Sequence, residues 1–333
     1  MPTQLFYTCE NHSPDRNHLQ VTQISHLLPV RNGSEFLQSV LPQIVANFSL
    51  GDQIIVIDDG STDETPKLLQ NFKAEFKGLE IVRTKGVGLV AALNLGFDVA
   101  ECSWVARYDV DDDYEAHRIE IQKSQIKKNT VGIFSDYDFR INKKVYAGRM
   151  VSPVLPQMTK LSLFASQQTA HPVALLNKSA VQEAGGYNRK DFPAEDLGLW
   201  FRLAKLGDLI SVPETLLHYN LNSKGISASN RNLMKSKASE VVKLYSEKIN
   251  LDEVFFSIFH DEWRQLDNYT FPAERRILAL RNLFKANPGM NFTDLIKAKE
   301  SLLKEMVDLS TLKALANLAY FKNLRTLNRK FLR

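Results

Sequence analysis

Through the first 130 residues, short apolar runs alternate with stretches whose apolar positions recur every three or four residues. Ile24 to Val30 reads as a buried strand. A turn at Arg31-Asn32-Gly33 leads into a helix with Phe36, Leu37, Val40, Leu41 and Ile44 on one face, and Pro42 predicts a kink in it. Gln53 to Asp58 is a second strand, followed by a helix from about Glu64 that either Ser61 or Asp63 can cap, with Pro66 in the tolerated first turn. Leu79 to Arg83 is a third strand, and a helix from about Leu89 to Ala100 leads to a fourth at Ser103 to Asp109.

Strands separated by helices of this length predict an α/β fold with a mostly parallel sheet covered by helices on both faces. Ligands of such sheets bind beyond the carboxyl ends of the strands. Three polar clusters fall there: Arg31-Asn32, Asp58-Asp59 and Asp109 to Asp113. After about residue 130 the strands become mixed in length: Val131 to Phe139, Val173 to Leu176, Leu209 to Val212 and Leu216 to Leu221, with a helix over Leu197 to Leu206 whose Leu199, Trp200 and Leu203 face the core. From about Asn230 the chain reads as helices. The predicted organisation is a polar arm over 1–20, a domain over 21–230 and a helical region over 231–333. Within the domain, the change in pattern divides 21–113 from 114–230.

The acidic run suggests chemistry. An extended Trp104 to Asp111 would put Asp109 and Asp111 on one face, with Asp112 re-aimed by a turn. Four carboxylates in five residues repel one another, and a hard cation such as Mg²⁺ or Mn²⁺, held by one or two of them plus substrate phosphates, relieves this. An exposed acidic turn is the plain alternative. Asp58 and Asp59 can accept from the N–H edge of a base or from a ribose hydroxyl, or else shape a turn and cap a helix. Lys85-Gly86-Val87-Gly88-Leu89 can bring backbone amides and Arg83 or Lys85 to a phosphate. Glu195 and Asp196 either cap a helix or supply a general base whose proton affinity is raised by its neighbour's charge. His171 is either a packed side chain or a catalyst, and Tyr187, after the Gly185-Gly186 turn, is either core or cleft wall.

Composition narrows the class. The chain has 333 residues, 44% of them hydrophobic and 24% charged, as expected of a folded globular protein. No apolar run is long enough to span a bilayer, and the first twenty residues lack a secretory pattern, so a soluble, cytoplasmic protein is expected. Cys9 and Cys102 are too few for a disulfide framework. Residues 231–333 carry 19 Lys+Arg against 12 Asp+Glu, leaving 23 against 26 in the first 230. A basic tail suits an anionic partner, but the cations are spread through amphipathic helices without a nucleic-acid-binding motif, which argues against DNA or RNA. Over 311–333, Tyr320, Phe321, Leu324, Leu327 and Phe331 share one side of a helical wheel and Lys322, Arg325, Arg329, Lys330 and Arg333 the other. Such a helix either packs on the domain or makes a peripheral contact at the inner membrane surface.

Taken in order, these segments resemble the family 2 glycosyltransferases, inverting enzymes of the GT-A fold. The likeness covers about Ile24 to Ser229. It rests on Leu28-Pro29-Val30-Arg31-Asn32-Gly33, Val56 to Asp63, Gly88 to Gly96, Ala106 to Asp112 with its Asp-x-Asp pattern, His171-Pro172, Gly185-Gly186-Tyr187 and Glu195-Asp196-Leu197-x-Leu199-Trp200. The resemblance implies a nucleotide diphosphate sugar donor, UDP-linked first, and a carbohydrate or lipid-linked acceptor, in cell-surface polysaccharide or glycolipid synthesis. It implies Asp59 on the base, Asp111 on the ribose or metal, Asp112 on Mn²⁺ or Mg²⁺, and Asp196 as catalytic base with Glu195 supporting. Pro29, Arg31, Asn32, Asp58, Arg83 and Asp109 would complete the donor side, and His171, Tyr187 and Trp200 the acceptor side. One departure is Asn222, where many relatives carry histidine, which puts a third metal contact from that segment in question. The competing readings are an Asp-x-Asp phosphohydrolase with Asp109 as nucleophile, and a nucleotide-sugar-binding protein without turnover.

Overall fold

A computed structural model describes residues 22–141, 144–150, 169–222 and 231–246, together with isolated positions between 152 and 163. The expected arm over 1–20 and the tail over 311–333 lie outside the described residues. Chain order is β1 (Ile24–Val30), α1 (Ser34–Ala46), β2 (Gln53–Asp58), α2 (Thr65–Glu75), β3 (Leu79–Arg83), α3 (Leu89–Val99), β4 (Trp104–Arg107), β5 (Asp113–Tyr114) and α4 (Arg118–Lys123). β6 (Thr130–Ile141), β7 (Lys144–Met150), β8 (Leu175–Asn177), α5 (Lys178–Glu183), α6 (Glu195–Leu203), β9 (Asp208–Asn220) and α7 (Arg231–Ser246) follow.

One nine-stranded sheet has the order β3-β2-β1-β4-β8-β6-β9-β5, with β7 paired to β6. Six strands run one way, because β1 to β4 pair in parallel and β6, reached through antiparallel β8, pairs in parallel with β9. The mostly parallel sheet expected from the sequence is therefore present, with β8, β5 and β7 running against it. All seven residues of β1 are buried, as a strand covered on both faces requires. α3 lies against β1 closely: a Cβ built at Gly96 would come within 2.3 Å of Leu27 Cδ1, so only glycine lets helix and strand approach this far. α1 runs continuously through Pro42. Among the described residues, no helix is long and apolar enough to cross a membrane.

Several sequence expectations change. The fourth strand stops at Arg107 and Val110-Asp111 form a turn, so Asp109 and Asp111 do not share a strand face. The strand expected over Val173 to Leu176 is a 3-10 turn at His171–Val173 followed by β8, since Pro172 has no N–H to give a ladder. The two strands expected over 209–212 and 216–221 are one strand, β9. Its pairing to β6 jumps from Ser135–Val212 to Asp136–Thr215, and this irregularity accommodates exposed Pro213 and Glu214. α6 starts at Glu195, which places both acids in its first turn.

Candidate active site

The β1 and β2 ends are laced together before any ligand is considered. Asn32 takes a left-handed φ of 53°, donates its backbone N–H to Ser61 Oγ at 2.9 Å and accepts from Thr62 N at 2.8 Å. Asp58, 1% exposed, accepts from Ser61 N at 2.9 Å and faces Arg83 Nε at 3.5 Å. Arg83 also donates to Ser61 O at 2.9 Å. Pro29 is buried in β1 opposite Ile57. Pro29, Asn32 and Asp58 thus shape the edge, while Arg31 stays exposed and Arg83 keeps 55% of its side chain open. Between the two capping candidates, Asp63 is the one that accepts from Thr65 N, and it also accepts from Ser34 N. Burial works the other way, but these donors pull its carboxyl down to about 2.

Asp59 grips the glycine loop. Its Oδ1 accepts from Thr84 Oγ1 and from Val87 N at 2.6 Å, and its Oδ2 accepts from Gly88 N at 2.9 Å. Burial would raise its pKa, yet these three donors and the Arg31 charge hold it below the ordinary value. Gly60 and Gly86, both at positive φ, let the loops meet: a Cβ at Gly60 would lie 2.7 Å from Gly86 N.

The acidic loop is framed by Tyr114, Gln43 and Asn220, which the sequence did not mark, and by Asn222, which it did. Tyr114 Oη accepts from Asp109 N and donates to Asp109 O at 3.2 Å. Asn220, the last residue of β9, donates its backbone N–H to Asp112 Oδ1 at 2.8 Å, and its side-chain amide donates to Asp111 O and Asp113 Oδ2, each at 3.0 Å. Asn222 donates to Asp111 Oδ2 at 3.2 Å, so the segment where relatives carry histidine does reach the loop. Asp113 also accepts from Gln43 at 3.0 Å and belongs to the frame. Asp112 is 4% exposed; burial first, then the charges of Asp109 and Asp111, push its pKa well above the ordinary value against the Asn220 N–H. Asp111 is raised by burial and by Asp109. Arg107 pairs with Asp109.

Two acids crowded at low dielectric, with the neighbouring arginine committed to a third, fit a divalent cation by donor chemistry. Among the described residues no three His, Cys, Asp or Glu side chains form a ready-made cage. A hard ion that keeps waters and phosphate oxygens needs only one or two carboxylates.

The second acid cluster lies within electrostatic reach of the first. Glu195 is 5% exposed, its Oε2 has no hydrogen-bond partner among the described residues, and burial and then the Asp196 charge raise it to about 7. Asp196 is half-buried and accepts from Leu197 N at 2.7 Å. Behind them, His171 Nε2 and Tyr187 Oη are 2.8 Å apart. Burial and the Arg107 charge drive His171 well below its usual pKa, so its ring is neutral. Trp200 corrects the sequence expectation. It is wholly buried, edge-on to Phe134 at 4.9 Å and to His171 at 5.8 Å, and supports the site from the core instead of meeting an acceptor.

This mostly parallel α/β sheet, with an acidic loop after β4 and an acid pair at the start of α6, has the GT-A fold. The chain carries a glycosyl transferase family 2 domain: the model described as "Glycosyl transferase family 2" matches residues 25–184. An uncharacterized glycosyltransferase of Rickettsia conorii is 30% identical over 209 residues, which cover 60% of this chain and 33% of that protein. The chain thus spans about a third of the length of the Rickettsia relatives it matches. An Escherichia coli UDP-Gal:alpha-D-GlcNAc-diphosphoundecaprenol beta-1,3-galactosyltransferase is 25% identical over 179 residues, 52% of this chain and 64% of that protein. The fold is also that of the mannosyltransferase PcManGT from Pyrobaculum calidifontis, solved with GDP-Man and Mn²⁺, at TM-score 0.55 and 16% identity over 92% of this chain and 82% of that one.

Proposed function

We propose that this chain is a metal-dependent, inverting glycosyltransferase that moves a sugar from a nucleotide diphosphate sugar, a UDP-sugar first, to a hydroxyl acceptor, in cell-surface polysaccharide or glycolipid synthesis. The observation that carries this reading is the buried acidic loop after β4, where the Asn220 backbone N–H holds Asp112 and the Asn222 side chain holds Asp111 at the carboxyl end of the sheet. Relatives and neighbours whose names include a UDP-sugar or GDP-Man with Mn²⁺ support it.

Asp112 and Asp111 would hold Mn²⁺ or Mg²⁺, which when bound supplies positive charge against the departing diphosphate. The loop around Asp59, Arg31 and Arg83 would orient the nucleotide. Asp196, more open than Glu195, takes the proton from the acceptor hydroxyl as that oxygen attacks the anomeric carbon, and the carbon–oxygen bond to the diphosphate breaks in the same step. Configuration inverts, and no enzyme nucleophile is required. Asp109, committed to Arg107, is poorly placed to serve as the nucleophile of a phosphohydrolase.

A thermal-shift panel of UDP-, GDP- and dTDP-sugars with and without Mn²⁺ tests the donor, since a ligand at about 100 times its Kd adds roughly 2.7 kcal/mol. One nucleotide should give a Mn²⁺-dependent shift. Asp196→Asn should keep that shift and lose transfer; full transfer by the variant would overturn the base assignment.

A further inference from the structure

Arg202, in the last turn of α6, reaches four groups outside its own helix. Its Nε donates to Ala184 O at 3.0 Å and its Nη2 to Gly186 O at 2.6 Å, which pins the glycine turn before Tyr187. Its Nη1 donates to Asp191 Oδ2 at 3.0 Å and to Tyr245 Oη at 2.9 Å. The Arg202 side chain is 18% exposed and that of Asp191 6%, so the pair is largely shielded from screening by salt.

Asp191 ends the 3-10 turn Arg189–Asp191 that leads into α6. Its backbone O accepts from Ala194 N at 2.7 Å, and Ala194 O accepts from Gly198 N at 3.1 Å as the helix begins. Ala194 is the residue before the acid pair. Glu195 Oε2 has no hydrogen-bond partner among the described residues, and Asp196 Oδ1 accepts from Leu197 N on the same helix. The position of the pair therefore follows the start of α6. The fourth group held by Arg202 comes from α7, beyond the boundary near 230 that the sequence pattern predicts. Tyr245 is 8% exposed and its ring stacks on Phe201 of α6, with centroids 5.2 Å apart and planes 5° from parallel. Val241, also buried, joins the same apolar cluster as Leu199 and Trp200.

We propose that α7 is a working part of the site: through Tyr245, Arg202 and Asp191 it fixes the start of α6, which makes Arg202 and Tyr245 positioning residues for the Glu195–Asp196 pair. The catalytic half rests on the reading of that pair as the proton acceptor. None of the groups that Arg202 holds is assigned to the donor side, so the link acts on transfer and leaves nucleotide binding alone.

The test uses the full chain. Tyr245→Phe keeps the ring on Phe201 and removes only the hydroxyl, whereas Arg202→Lys keeps the charge and loses the planar fork that spans several partners. In native-state hydrogen exchange both should speed the Ala194 and Gly198 amides about 10-fold or more, while Val87 and Gly88 keep their rates. Turnover is followed as nucleotide diphosphate released from UDP-galactose or GDP-mannose with Mn²⁺, water taking the place of the acceptor hydroxyl. It should fall about 10-fold in kcat for Tyr245→Phe and up to about 100-fold for Arg202→Lys, with KM for the nucleotide sugar unchanged. Val241→Ala removes packing from α7 but leaves Tyr245 on Arg202, so it should lower Tm without these effects. Unchanged exchange at Ala194 and Gly198 in Tyr245→Phe, a rise in donor KM in place of the fall in kcat, or an equal loss of kcat in Val241→Ala overturns the proposal. Should Arg202→Lys fail to fold, Tyr245→Phe decides. Exchange needs no turnover, so a chain whose amides respond as expected but which releases no nucleotide diphosphate loses the functional reading and keeps the link from α7 to α6.

Discussion

Asp112 and Glu195 are acids held where water is scarce and other acids are near, and the cost of that placement depends on pH. Glu195 binds its proton more tightly folded than unfolded, with a folded value of about 7 against an ordinary 4.5. Folding stability therefore falls as pH rises from the unfolded value through about 7, and the loss is complete above it. The shift corresponds to at most about 3 kcal/mol. Glu195→Gln removes this titration, so urea unfolding between about pH 5 and pH 8 should give a flatter stability curve than the wild type. Parallel curves would mean that Glu195 is not the titrating acid. Asp112 follows the same sign, its penalty growing above the ordinary 3.8. Asp112→Asn should be more stable than the wild type without metal at neutral pH, and should lose the Mn²⁺-dependent shift.

At the scale of elements, the β2 end, the glycine loop and the start of α3 act as one clasp through Asp59. Bonds to a carboxylate are each worth about 1.5–3 kcal/mol. Asp59→Ala should speed hydrogen exchange at the Val87 and Gly88 amides about 10- to 100-fold while leaving β1 and β2 amides protected. Uniform acceleration would mean global loosening instead of an opened clasp. The strands that position this clasp were legible because β1 and β2 are buried runs with turn residues after them. The acidic loop and the acid pair were legible as charge at strand and helix ends. The lacing was not. Asn220 is polar and unremarkable in sequence, and its three bonds to the loop exist only because β9 pairs with β5 and runs parallel to β6. The continuity of β9 through Pro213 was hidden for a related reason: proline normally ends a ladder, and only a register shift against the partner accommodates it. For Trp200 the two sequence arguments diverge: its spacing with Leu199 and Leu203 along α6 points to the core, where it lies, and only the family resemblance places it on an acceptor surface.

Across the whole molecule, charge is divided between a first part with a small acidic excess and a C-terminal part with 19 Lys+Arg against 12 Asp+Glu. The acidic part holds the candidate donor site, where a cation and a diphosphate would meet. For the basic part, the pattern over 311–333 sets Phe321, Leu324 and Phe331 on one side of a helix and five cations on the other. Near an anionic bilayer each cation contributes about 1 kcal/mol, an attraction that fades once salt shortens the screening length. If the acceptor is carried on a lipid, this segment would hold the domain at the surface where that acceptor is found. The expected outcome is that the full chain co-sediments with phosphatidylglycerol-containing vesicles at low salt. Release should follow at about 0.5 M salt and on deletion of Leu312 to Arg333. The deleted chain should keep its nucleotide- and Mn²⁺-dependent thermal shift, because no residue assigned to the donor side lies beyond position 222. Retention of the truncated chain on the vesicles, or equal binding of the full chain to neutral phosphatidylcholine, would assign the basic tail to packing or to a protein partner in place of a membrane.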